Sequence, residues 1–438
     1  MASRPPLYLL IEEGNRELLS RALIAVLAVR RGYRVVLGPQ WVLHHDFNRL
    51  PRGIVMFKGN NLIQGRNMRR ARDAGHTVAS IEEEALTLSD ATEILRLYSS
   101  DSIECCDLFL AQGAFQETTL VTAYPDIADH IAVTGNPRTD VLRPEFTNEI
   151  HRRADDLRDQ YGRFILINTN FGSVNPAHGD TLSLYRRCIQ TGLVDPSDPA
   201  GLRDFLTWAE WEKDNLHCVV AFAGEMLRAQ PNCQIIIRPH PAEDPGRWHE
   251  WLDVGGPINV IREGDHLSWT AASEVMVHTS GTTGVEAMLM GQANVSLIPG
   301  DNPWHDLYSI NEICPTAKTV SDAIELVIDH LDRPEESELF RRTAAVDFGD
   351  HIDVREELAA KRIVDALDRF PDHAVEGGMQ LTGSISTWQG EKFDVTGDRL
   401  RQTVSEMEAA LPFYDTSVAI KEHSSGVFEL FAEGGFGH

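Results

Sequence analysis

The chain has 438 residues, with 40 Lys+Arg against 66 Asp+Glu and a formal net charge of −26. That length suits two or three domains of ~100–200 residues each, and the apolar content is sufficient for real cores. Such acidity excludes a general nucleic-acid surface, but leaves room for a small anionic ligand in a locally basic cleft.

The longest apolar stretches, such as Ala22–Val29, fall far short of the ~20 residues that span a bilayer. The first apolar run ends at Glu12 and Glu13, so it reads as a strand and not as a signal peptide. Six cysteines without CxxC spacing argue against zinc, and no other metal or cofactor is expected. A reduced, cytoplasmic protein is the simplest expectation.

Short apolar runs alternate with helical patterns, the signature of doubly wound parallel α/β sheets. Leu7–Ile11 reads as the first strand, followed by a helix over about residues 15–31. Further strands fall near 33–37, 54–57, 77–81, 108–111 and 131–134. The charged stretch 149–161 separates a second series, with strands near 164–168, 234–237, 259–261, 275–278 and 294–297. Ser321 is expected to cap a helix running to about Leu331. The resulting division is 1–150 and 151–345 as two Rossmann-like domains, 346–372 as a closing helix, and 373–438 as a polar, Gly-rich tail. The tail has 10 acidic and 4 basic residues and reads as loosely ordered or as a docking appendage, with some helix near 399–410.

Ligands of doubly wound sheets bind beyond the C-terminal strand ends, which directs attention to specific loops. After the strand ending at His278, Ser280, Gly281, Thr282 and Thr283 form a small-residue turn into a helix. Its first amides and hydroxyls suit phosphate, and Glu286 one turn later suits ribose hydroxyls. The segment Arg238-Pro-His240-Pro brings an arginine and a histidine to another strand end. His240 could donate to a leaving phosphate; Arg238 could bind an anion, or clamp the turn through Glu243 or Asp244. Glu82, Glu83 and Glu84 follow a first-half strand, where one carboxylate could deprotonate a hydroxyl. Arg16, Glu17, Lys58, Gln112, Arg138 and Asn170 occupy equivalent positions after other strands, Glu17 alternatively serving to cap a helix.

These residues resemble a GT-B glycosyltransferase of bacterial surface-carbohydrate biosynthesis, over about residues 7–370. RPHP at 238–241 is similar to the HP motif of transferases using CMP-activated Kdo or sialic acid, and EEA at 83–85 resembles their acidic motif. HTSGTTGVEA at 278–287 is similar to their donor-phosphate loop; GNPRTD at 135–140 and INTNFG at 167–172 match further segments. The resemblance implies two Rossmann-like domains facing across a cleft and metal-independent transfer of a sugar from a CMP donor to a glycan hydroxyl. It makes Glu83 the base, though Ala85 stands where the acidic motif has glycine. His240 becomes the leaving-group residue, and His278, Ser280, Gly281, Thr282, Thr283, Asn170, Arg238 and Glu286 the donor site. Arg16, Glu17, Lys58, Gln112 and Arg138 fall on the acceptor or sugar side, and a lipid-linked acceptor would bring the protein to the inner membrane face. The alternatives are a non-hydrolysing UDP-sugar 2-epimerase, which shares the architecture, and a non-catalytic glycan-binding protein. Against the epimerase, the loop after the first strand reads Glu-Glu-Gly-Asn-Arg-Glu where epimerases carry Gly-Thr-Arg-Pro-Glu.

Overall fold

The computed structural model describes residues 4–345, 347–371, 378–411 and 416–434. In chain order the strands are β1 (Leu7–Ile11), β2 (Val35–Pro39), β3 (Ile54–Phe57), β4 (Thr77–Ile81), β5 (Leu108–Ala111), β6 (Ile131–Val133) and β7 (Phe164–Asn168). There follow β8 (Gln234–Arg238), β9 (Ile258–Val260), β10 (Val275–His278), β11 (Asn294–Leu297), β12 (Thr316–Ala317), β13 (Val418–Glu422) and β14 (Phe428–Ala432). The chain divides into two compact units, the first formed by the described residues of 1–86, 94–147 and 349–438, the second by 87–93 and 148–348. Each is built on a Rossmann-like sheet, as the alternating pattern predicts.

The first sheet has the order β13-β14-β2-β1-β3-β4-β5-β6, and its strands from β2 to β6 are parallel. β1 is buried at every position because helices cover both faces of a parallel sheet, which removes the polar alternation of a half-exposed strand. Strand order reverses between β1 and β3, which places the crevice for ligands beyond their C-terminal ends. The second sheet, β12-β11-β10-β7-β8-β9, is parallel throughout and reverses between β7 and β10.

The C-terminal segment departs from the expectation of a loose tail. β14 pairs antiparallel with β2 and β13 pairs with β14, while the helix expected near 399–410 is present as Gly397–Ala410 and buries Leu400, Val404 and Met407 in the core of the first unit. Phe428 and Leu430 join the same core. Polar composition concealed this because a hairpin at a sheet edge needs only one apolar face. Two boundaries also move: Thr319, not Ser321, caps the helix Val320–Asp332, and the closing helix shortens to Ala359–Leu367.

Candidate functional site

In the first unit, β1, β3 and β4 end in a cluster of charge. Lys58, one residue past β3, donates to Glu17 at 2.7 Å and pairs with Glu12 at 2.9 Å. The Glu17 carboxylate also accepts the backbone N–H groups of Glu12 and Glu13, so it closes the turn into the first helix, the capping role weighed from sequence. Glu12 lies between Lys58 and Lys392; burial opposes its charge, yet the two ammonium groups hold its carboxyl down at about 2.

The three glutamates after β4 part company. Glu83 is buried against Arg21, with Nη2 at 2.7 Å from Oε1. Burial favours its neutral form, but Arg21, Lys58, Arg138 and Arg16 outweigh it and keep the carboxylate ionised. Glu82, equally buried, accepts from the Asn60 backbone N–H at 2.7 Å and from the Asn60 side chain at 3.1 Å. Among the described residues no cation pairs with it, and burial pushes its carboxyl up to about 8. Glu84 is largely exposed and reaches Arg16 at 3.4 Å. The assignment of Glu83 as base therefore meets a physical obstacle: an ion-paired carboxylate held ionised has little affinity for a proton. Of the remaining residues expected here, Gln112 is buried and accepts from Asn136 at 3.0 Å, while Arg138 is buried on the short helix capped by Asn136.

In the second unit a different residue dominates. Glu243, fully buried, accepts from the Thr169 hydroxyl at 2.6 Å, the Phe171 N–H at 3.0 Å, the His240 N–H at 3.1 Å and the Asn175 side chain at 3.2 Å. One carboxylate thus ties the loop after β7 to the loop after β8. Glu212, on the helix Pro199–Ala229, accepts from both the N–H and the hydroxyl of Ser173, and burial lifts its carboxyl to about 8. His240 gives its backbone N–H to Glu243, and its ring accepts the Ala242 N–H at Nδ1, 3.1 Å, which puts the proton of the neutral imidazole on Nε2. Asn170 is exposed, between Thr169 and Phe171, which Glu243 anchors.

Arg238 does not fit the anion-binding role. Its guanidinium donates to the carbonyls of Glu263 at 2.7 Å and Gly264 at 2.8 Å and lies 5.2 Å from the centroid of Trp269, so it clamps the 262–264 loop. His278 is likewise turned to an internal task. It is buried against Asn294 at 3.2 Å, burial lowers its imidazole to about 4, and a Cβ on Gly284 would come within 2.5 Å of its ring. Ser280 adopts φ 60°, outside the comfortable range for a residue with a Cβ, and its Oγ accepts from Asn311 at 2.9 Å. Gly281 then begins the helix Thr282–Leu289 with no side-chain cap, leaving its first-turn amides oriented for an acceptor. Glu286, one turn along, pairs with His266 at 2.7 Å.

The sequence pattern alone does not mark Arg21, Glu212 and Glu243 as functional residues. Each carried a usable signal, a charged residue on an otherwise apolar helix face or one following a buried strand, because burial of such a group requires a partner. Among the described residues no three His, Cys, Asp or Glu side chains gather to hold a metal ion, and no helix is long and apolar enough to cross a membrane.

No family model matches the sequence, and no curated protein matches it. Solved structures do. A UDP-GlcNAc 2-epimerase from Neisseria meningitidis bound to UDP-GlcNAc aligns with TM-score 0.50 and 11% identity, over 83% of this chain and 99% of that one. A Listeria monocytogenes protein described as a UDP-N-acetylglucosamine 2-epimerase aligns with TM-score 0.53 and 14% identity, over 85% and 100%. S. aureus MnaA, solved with UDP, aligns with TM-score 0.50 and 12% identity, over 86% and 100%. The fold is therefore of the GT-B type, two Rossmann-like domains, as the sequence implied. These neighbours are not CMP-sugar transferases, and the expected Kdo or sialic-acid identity draws no support from them.

Proposed function

We propose that this protein is an enzyme acting on a UDP-sugar, with the proton-transfer chemistry of a 2-epimerase in preference to transfer from a CMP donor. The observation that carries the reading is the separation of two adjacent carboxyls: Glu83 is held ionised by Arg21, while Glu82 is pushed up to about 8. A catalytic acid or base works best when its pKa lies near the operating pH, and Glu82 meets that condition where Glu83 does not. Glu82 then takes or returns a proton on the sugar, and Glu83 keeps Arg21 in place. Taken by itself, the second unit carries at its strand ends neutral donors suited to a diphosphate: the Thr282 and Thr283 amides, their hydroxyls, and the Nε2–H of His240. The likeness in fold to 2-epimerases supports the same reading.

The test is incubation with UDP-GlcNAc in D2O without acceptor, followed by proton NMR. Inversion at the sugar C2 with deuterium uptake is expected, falling about 100-fold or more in Glu82→Gln, the usual worth of a positioned acid or base. Unchanged turnover in Glu82→Gln would remove Glu82 from the mechanism. Thermal shifts with CMP and UDP decide the wider class: stabilisation by CMP alone returns the transferase reading, and none by either nucleotide favours a glycan-binding protein.

A further inference from the structure

The C-terminal segment lies outside the motifs that support the nucleotide-sugar reading, yet it is fastened beside the charged cluster of the first unit. Asp46, fully buried at the end of the helix Gln40–Asp46, accepts from the Thr382 N–H and hydroxyl, each at 2.7 Å, and from the Gly383 N–H at 2.8 Å. Burial opposes its charge, but these donors hold its carboxyl down at about 2. The backbone packs closely here, since a Cβ on Gly383 would lie 3.1 Å from the Cα of Val42. A capping box of Ser386 and Gln389 then starts the helix Thr387–Phe393. At its far end Phe393 is buried, and its carbonyl oxygen sits where a Cβ on Gly14 would be, 2.0 Å away.

These anchors present an aromatic surface. Trp388 is 52% exposed, with its ring centroid 6.1 Å from that of Trp41 at an interplanar angle of 57°. The ammonium of Lys392 lies 5.5 Å from the Trp388 centroid and pairs with Glu12, whose other oxygen takes Lys58. Trp388 thus keeps apolar ring area in water on a helix that is held at both ends.

We propose that Trp388 and Trp41, with the Lys392–Glu12 pair, form a carbohydrate-binding site for a neutral glycan. The apolar C–H face of a pyranose ring stacks on the indoles, and its hydroxyls exchange hydrogen bonds with the ammonium and carboxylate. The chemistry favours sugar over other occupants. Trp388 is followed on its helix by Gln389, Glu391 and Lys392, which leaves one aromatic pair in polar surroundings, narrow against the ~800 Å² that each partner of a stable protein complex buries. The Lys392–Glu12 pair balances its own charge, so the ligand need carry none.

The experiment titrates the full chain with neutral cello-, chito- and malto-tetraose by isothermal calorimetry, with UDP titrated separately. Saturable binding of at least one tetrasaccharide is expected, weakened about tenfold in Trp388→Ala and in Trp41→Ala and largely kept in Trp388→Phe. UDP binding in Trp388→Ala is expected to match the wild type, which separates this site from the nucleotide reading: glycan binding without UDP binding would sustain the one and sink the other. The proposal is overturned if none of the three tetrasaccharides binds, or if the alanine variants bind as tightly as the wild type. Were Trp388→Ala to lose its cooperative urea transition, the Trp388→Phe and Trp41→Ala variants would carry the same comparison.

Discussion

In the first unit the strand ends close on ion pairs, Arg21 with Glu83 and Lys58 with Glu12 and Glu17, whereas in the second unit Glu243 and Glu212 receive neutral donors from Thr169, Phe171, His240, Asn175 and Ser173. Both arrangements satisfy buried carboxyls on the same sheet plan. Their electrostatic consequences differ in sign: a guanidinium keeps Glu83 ionised, while Glu212 with hydroxyl and amide donors is lifted by burial. Glu82 is the exception that makes the rule useful, a carboxyl with amide donors set one residue from the ion pair. Among these buried glutamates, burial lifts Glu82 and Glu212, and the guanidinium of Arg21 is what sets Glu83 apart.

The largest expected effect comes from breaking the charged arrangement. Arg21→Ala leaves Glu83 buried without its partner and should cost about 3–5 kcal/mol, read as an earlier guanidinium transition of the first unit. The double variant Arg21→Met, Glu83→Leu should recover most of that loss, and equal losses in single and double variants would refute the pairing. Next comes the neutral arrangement. Glu243→Ala strands two backbone N–H groups and should cost about 2–3 kcal/mol, with Glu243→Gln milder because its oxygen still accepts.

The smallest effect is a slope, and it compares one residue from each unit. Glu82 and Glu212 have folded pKa values of about 8 against an ordinary 4.5. Between those values the folded chain holds protons that the unfolded chain has released, so stability is full below the window and falls as pH rises through it. Glu82→Gln or Glu212→Gln should each flatten the decline in unfolding free energy from pH 5 to 8 by up to about 1.4 kcal/mol per pH unit. A variant whose decline stays as steep as that of the wild type would place its carboxyl in the ionised class with Glu83.

Much of the architecture was legible before any coordinates. β1, β3, β4, β5, β7, β10 and β11 fall where continuous apolar runs stand between turn residues. β12 escaped because two residues form no pattern, and β13–β14 because Lys421, Glu422 and Glu429 mask an edge hairpin. The site was legible in location more than in role. Glu82–Glu84 and Arg238–His240 do lie at strand ends, but Arg238 turns to backbone carbonyls and His278 to Asn294.

Sequence by itself determined the two alternating α/β series and which loops lie beyond the strand ends, because periodicity and turn chemistry are local properties of the chain. Only the tertiary structure decided which of three consecutive glutamates meets Arg21 and which meets Asn60, and that the polar C-terminal segment carries Trp388 to Trp41. Those outcomes depend on partners distant in sequence, and the charge and exposure of a side chain follow from what it meets once folded.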